Sequence, residues 1–143
     1  MRIREVIRRK GDQVVTIRPD ADVTTLLAML AEHNIGAVVV SADDGATLSG
    51  IVSERDVVRR LQADGAAALS LPVADLMTVE VQTCVPEDAL EELALRMTEH
   101  RIRHLPVVED GRITAIVSIG DIVKHRIDEL QEERQQLVSY IQH

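Results

Sequence analysis

Apolar residues recur along the chain with two alternating periods. Val23, Leu26, Leu27 and Leu30 fall at helical spacing, and so do Leu90, Leu93, Ala94 and Met97. Each of these stretches follows a short β-branched run, VVTI (14–17) or VQTCV (81–85), that is closed by a nearby proline, Pro19 or Pro86, and so reads as a strand. After each helix comes a second strand, IGAVVV (35–40) or IRHLPVV (102–108). A turn at DDG or EDG follows, then a hairpin partner, LSGIVS (48–53) or ITAIVS (113–118), and a further helix. Pro106 lies inside one of these strands and predicts that the strand is an edge or that its first residues are unpaired, because proline has no N–H for the ladder.

The order β-α-β-β-α is therefore written twice. Pro19 matches Pro86, Leu26 matches Leu93 and Ile35 matches Ile102 at a spacing of 67, while Val52, Ser53 and Asp56 match Val117, Ser118 and Asp121 at 65. The first copy thus carries two more residues in its hairpin turn, a place where length changes are tolerated. Neither half can cover its own sheet, so the expectation is one α/β (α+β) fold of two repeats packed with pseudo-twofold symmetry. The halves divide into residues 1–68 and 69–127, with 128–143 as a helical extension, and the small-residue stretch ADGAAALSLP (63–72) reads as a flexible linker. The VADLM that follows it echoes REVI near the N-terminus.

The most informative repeated stretch is GIVSERD (50–56) against AIVSIGD (115–121). Serine at a strand end with an acid three residues later is a capping box, in which the hydroxyl accepts a helix N–H and the carboxylate reaches back. The same geometry suits a ligand: a helix N-terminus favours phosphate, and an aspartate there can accept from both hydroxyls of a ribose. Gly50 and Ala115, three residues before the serines, keep the strand backbone accessible.

Composition narrows the function. At 143 residues, within the ~100–200 typical of one domain, the chain has 45% hydrophobic residues but no Phe or Trp and a single Tyr, so its core is aliphatic. A formal net charge of −8 speaks against DNA or RNA, whose non-specific binding needs Lys and Arg. It leaves room for a small anion at a local basic cluster such as RIRH (101–104). Cys84 is the only cysteine, which rules out an intrachain disulfide and a multi-cysteine metal site. No apolar run is long enough to span a membrane, and the charged start MRIREVIRRK is unlike a signal peptide, so a soluble cytoplasmic protein is expected.

The chain resembles a tandem pair of cystathionine-β-synthase (CBS) domains, a Bateman module, over residues 3 to 127. The resemblance is carried by VADLMT (73–78), IGAVVV, RHLPVVEDG, GIVSERDVV and AIVSIGDIV. It implies an adenosyl-ligand sensor with AMP, ADP, ATP or NAD(H) bound in the cleft between repeats, S-adenosylmethionine being the less favoured ligand. Asp56 and Asp121 then correspond to ribose-binding aspartates, and Ser53 and Ser118 to hydroxyls that hold ribose or phosphate. The family's habit of clasping adenine with the opposite repeat assigns Ile35, Gly36 and Ala37 to the Asp121 site, and Ile102, Arg103 and His104 to the Asp56 site. Thr16 and Thr83 become partners for the base. Arg103 and His104 stand where the first copy has Gly36 and Ala37, so only the second repeat offers a cationic strand end; with Arg55 they are the phosphate candidates. The plain alternative leaves Arg101 and Arg103 as solvated strand-edge charges and His104 as a satisfied histidine.

Beyond Asp121 no helix breaker occurs. Val123, Ile127, Leu130, Leu137 and Ile141 keep 4-3 spacing, with Arg134 in the intermediate slot, as in a coiled-coil seam. A homodimer contact is the expectation, against a last helix docked on its own domain. Three functions compete: a nucleotide sensor acting on an unidentified effector protein, a dimeric scaffold with degenerate sites, and an enzyme. Catalysis is disfavoured because no nucleophile–base pair, phosphate loop or metal cluster is present. His100 and His104 straddle a helix end and a strand, so they do not form a helical metal pair, and no metal is expected.

Overall fold

The computed structural model describes residues 1–11 and 14–142. Its elements run α1 (Ile3–Lys10), β1 (Thr16–Ile17), α2 (Val23–His33), β2 (Ala37–Val40), β3 (Gly50–Ser53), α3 (Glu54–Asp64), α4 (Leu90–His100), β4 (His104–Glu109), β5 (Arg112–Ser118) and α5 (Ile119–Gln142). Two 3-10 segments, Gly65–Ser70 and Val73–Asp75, join α3 to the second half. The mixed α/β fold with a long last helix is the one expected from the periodicity.

In the first half β2 is central, parallel to β1 and antiparallel to β3. In the second half β4 pairs antiparallel with β5. The strand expected at 81–85 contracts there to a single bridge between Cys84 and Val107. Pro106 is the physical reason. The Val108 N–H donates to the Cys84 carbonyl at 2.9 Å and the Cys84 N–H to the Pro106 carbonyl at 3.0 Å. The next rung would need an N–H from Pro106, which has none. Val39, its counterpart in β2, pairs with Thr16 and the ladder continues. Asp110 and Gly111, both at positive φ, close the β4–β5 hairpin, as a tight two-residue turn requires.

Each half has its own aliphatic core, and the cores exchange terminal segments. Ile3 and Val6 of α1 are buried with Leu90, Leu93, Met97 and Val117, in the second core. Val73, the counterpart of Val6, is buried with Val23, Leu26, Val38 and Val52, in the first. Backbone bridges Arg2–Ala89 and Asp22–Pro72 tie the exchanged segments in place. The stretch 63–72 is therefore not a flexible linker. Its 3-10 turn buries Ala68 completely, and Leu69 and Leu71 pack on the first core. Small residues here allow close packing rather than disorder.

Among the described residues no helix is long and apolar enough to cross a membrane. The predicted seam along α5 faces outward: Val123, Ile127 and Leu130 are about half exposed, and Leu137 and Ile141 more so.

Candidate functional site

Both S-x-x-D stretches fold as capping boxes. The Ser53 N–H and hydroxyl donate to Asp56 Oδ2 at 2.8 and 3.0 Å, and the Asp56 N–H points back to Ser53 Oγ. In the second half the Ser118 N–H donates to Asp121 Oδ2 at 2.9 Å, and the Asp121 N–H donates to Ser118 Oγ at 3.1 Å. The boxes start α3 and α5 and fix each carboxylate at a strand end. The bonds that Ser53 makes fall on Asp56 Oδ2, so the other carboxylate oxygen stays available to a ligand.

A cleft of about 620 Å³ opens at Asp56 and is within the size range of small-molecule sites. Its wall is formed by Gly36 just before β2 and Ala37 at its start, Ile51 and Ser53 of β3, Glu54, Arg55, Asp56 and Val58 of α3, Thr78, and Arg101 to His104 leading into β4. Both halves thus contribute, because β2 and β4 present their starts to the same opening. Arg101 reaches it from a left-handed turn (φ 54°) that ends α4, the counterpart of Asn34 (φ 50°) after α2.

Of the residues expected at the Asp56 site, Ser53, Asp56, Arg55, Ile102, Arg103 and His104 come together. Gly36 and Ala37, assigned to the Asp121 site, instead line the Asp56 cleft. The two β strands face each other across one opening: a methyl on Gly36 would stand 3.5 Å from Glu54 Oε1 and 3.8 Å from His104 Cε1. Ile35 packs on the first core and does not line the cleft. Thr16 and Thr83 are also absent from its wall; Thr16 lies near the Gly45 turn and the Thr83 carbonyl accepts from Arg96 at 3.0 Å. Sequence reasoning missed Ile51, Glu54, Val58 and Thr78 as cleft residues, and named Arg101 only within the basic cluster RIRH. The signal for Thr78 was there, as the last residue of VADLMT. Its N–H and carbonyl bond the carbonyl and N–H of Ile51 at 2.8 and 3.0 Å, which adds an edge to β3 beside the opening.

The cleft is locally basic on an acidic chain: Arg55, Arg101 and Arg103 face only Glu54 and Asp56. His104, half-buried, is held below its ordinary pKa by burial first, then by Lys10 and Arg103, against the opposite pull of Asp121 and Glu54. It therefore stands neutral between the two aspartate sites. Such an arrangement can fix an anionic group without neutralising it by proton transfer.

Ser118 and Asp121 lie outside this cleft. The Lys10 ammonium donates to Asp121 Oδ2 at 2.6 Å and to the Ile116 carbonyl at 2.8 Å. Burial alone would raise the Asp121 carboxyl, but the bonds from Lys10 and the Ser118 backbone outweigh it and hold the pKa below the ordinary value. Cys84 is buried, and its thiol is pushed up to about 12 chiefly by desolvation, so it is not a nucleophile near neutral pH. Among the described residues no group of three His, Cys, Asp or Glu is placed to hold a metal.

A family model described as CBS domain matches residues 3–63 and 73–128. The CBS domain-containing protein CBSX3, mitochondrial, of Arabidopsis thaliana is 36% identical over 147 aligned positions, spanning 98% of this chain and 71% of that protein. The crystal structure of the CBS-domain protein ATU1752 from Agrobacterium tumefaciens superposes with a TM-score of 0.84 at 41% identity, over 88% of this chain and 99% of that one. The CBS domain protein PAE2072 from Pyrobaculum aerophilum, solved in complex with AMP, superposes at 0.74 with 26% identity, over 85% and 89% of the two chains.

Proposed function

Because the chain belongs to the CBS domain family, as a tandem pair in a family of regulatory rather than catalytic modules, we propose that it is a sensor of an adenine nucleotide, AMP, ADP, ATP or NAD(H). The nucleotide binds in the Asp56 cleft, and its occupancy is passed to an effector protein. The observation that carries this reading is the convergence of both halves on one opening: the Ser53–Asp56 pair from one side and Arg101, Arg103 and His104 from the other. Asp56 accepts from the ribose hydroxyls with its uncommitted oxygen. Arg55 and Arg103, joined by Arg101, meet the phosphates with charge-assisted bonds. The base lies among Ile51, Val58 and Ile102, aliphatic because no Phe or Trp is available. That a structural relative is described in complex with AMP supports the ligand class. The cytoplasmic location belongs to the same proposal, beside a relative named as mitochondrial.

A second reading is a dimeric scaffold, favoured by the fully formed capping boxes, which give both serine–aspartate pairs a structural role without ligand. A thermal-shift panel of AMP, ADP, ATP, NAD⁺, NADH and S-adenosylmethionine separates the two. A ligand at 100 times its Kd adds about 2.7 kcal/mol, which is several degrees in Tm for a chain of this size. The expected result is a shift for at least one nucleotide that Asp56→Ala and Arg103→Ala both reduce. A flat panel on folded protein would favour the scaffold.

A further inference from the structure

The two S-x-x-D sites differ in what already occupies them. In the first half Thr78 and Ile51 join by backbone bonds, and Met77 sets its sulfur against Gly50. In the second half the position matching Met77 at the 67 spacing is Lys10, and Ile116 matches Ile51 at 65. The Lys10 ammonium takes the Ile116 carbonyl at 2.8 Å and goes on to Asp121 Oδ2 at 2.6 Å. The lysine side chain is exposed, at 37%, while that of Asp121 is half-buried, at 24%. Asp121 thus has a cation where, among the described residues, Asp56 has the groups of its own serine. A ribose hydroxyl arriving at Asp121 would have to displace an ion pair, and it would bring no charge in return.

We propose that Lys10 is an internal occupant of the Asp121 site, so that the module takes one adenosyl ligand per chain, at Asp56. This rests on the nucleotide reading above and adds the residue that decides stoichiometry. α1 delivers the lysine because it is exchanged into the second half, where Ile3 and Val6 anchor it in the core. Lysine in the last turn of a helix is also favoured by the helix dipole.

The test is calorimetric titration of AMP into the wild type, Lys10→Met, Asp56→Ala and the double variant, with folding of each checked by circular dichroism. Lys10→Met installs the residue that the first half carries. One site per chain is expected in the wild type, two in Lys10→Met, none in Asp56→Ala and one in the double variant. One site in both the wild type and Lys10→Met, abolished by Asp56→Ala, would overturn the role of Lys10 and leave the nucleotide reading standing. Two sites in the wild type would overturn it as well. Silence toward AMP from all four proteins, together with a flat thermal-shift panel for the other nucleotides, would refute the nucleotide reading itself, and this inference with it.

Discussion

Gly50 is the point where a single methyl group should cost most. Its Cβ would lie 2.6 Å from the Thr78 carbonyl oxygen, 2.9 Å from Met77 Sδ and 3.1 Å from Met77 Cγ. The methionine can swing aside, but the carbonyl is backbone and is held by the Ile51 N–H. Relief requires the segment carrying Thr78 to move away from β3. Overpacking of this kind costs about 1–3 kcal/mol. The two backbone bonds between Ile51 and Thr78 are worth about 0.5–1.5 kcal/mol each, while the stiffer unfolded chain returns about 0.4–1 kcal/mol. Gly50→Ala should therefore destabilise by about 2–3 kcal/mol net, a fall in Tm of roughly 5–10 °C. The molecule contains its own control, since Ala115 occupies the equivalent position in β5 and is buried there. Ala115→Gly should cost about 1–2 kcal/mol, from the looser unfolded chain and the lost buried methyl, with no backbone clash. Urea denaturation of the three proteins checks this. A Gly50→Ala midpoint equivalent to less than about 0.5 kcal/mol of lost stability, inside the range of neutral surface changes, would refute the close-approach argument.

Three further predictions concern α5, His104 and Asp121. The exposed stripe of Leu130, Leu137 and Ile141 should seat against a second copy, and Leu137→Asp should weaken the homodimer about 100-fold or more, since each buried leucine is worth about 1.5–3 kcal/mol. Sedimentation velocity reads this directly, and a wild type that is monomeric at every concentration would count against it. His104 is neutral in the fold, with its pKa below the ordinary 6.5, so the unfolded chain binds more protons between the two values and stability must fall as pH drops below about 6.5. His104→Gln should flatten the denaturation midpoint between about pH 7 and 5, by at most about 1.4 kcal/mol per pH unit for one proton. An unchanged slope would show that another group titrates. Asp121 contributes the separate acid limb. Its pKa is lowered from 3.8, so its stabilisation is present above that value and is lost as pH falls through the folded-state value.

How far the sequence could be read depended on how local each cause was. The β-α-β-β-α order was legible because helix and strand periods are properties of neighbouring residues. The capping boxes were legible because three residues suffice to build one. The loss of the second parallel rung was partly legible, in that Pro106 announced a missing donor but not which partner would lack it. The stretch 63–72 was misread because Ala and Gly suit a loose linker and a tightly packed turn equally well; only the presence of Val23 and Leu26 beneath it decides. At the cleft, Ser53, Asp56, Arg55, Arg103 and His104 could be assembled from motif and resemblance. That Gly36 and Ala37 face the same opening depends on how β2 and β4 lie across the pseudo-twofold, which no spacing reports.

The difference between the two aspartates belongs to this last class. Asp56 and Asp121 sit in the same motif, with the same serine, strand end and helix start. A reader of the motif alone must treat them alike. What separates them is the contact of Asp121 with a side chain 111 residues away. That contact exists because α1 is exchanged into the second core by Ile3 and Val6, while the 3-10 turn at Val73 performs the same exchange toward the first core and brings Met77 instead. The repeat therefore conserves a scaffold, and the exchanged segments decide what each copy of the scaffold offers. On the proposal above, a charge at position 10 closes one site, and an apolar residue at position 77 leaves the other open. A pseudo-symmetric module can in this way answer one ligand with an asymmetric change, which a symmetric pair of equally occupied sites could not do.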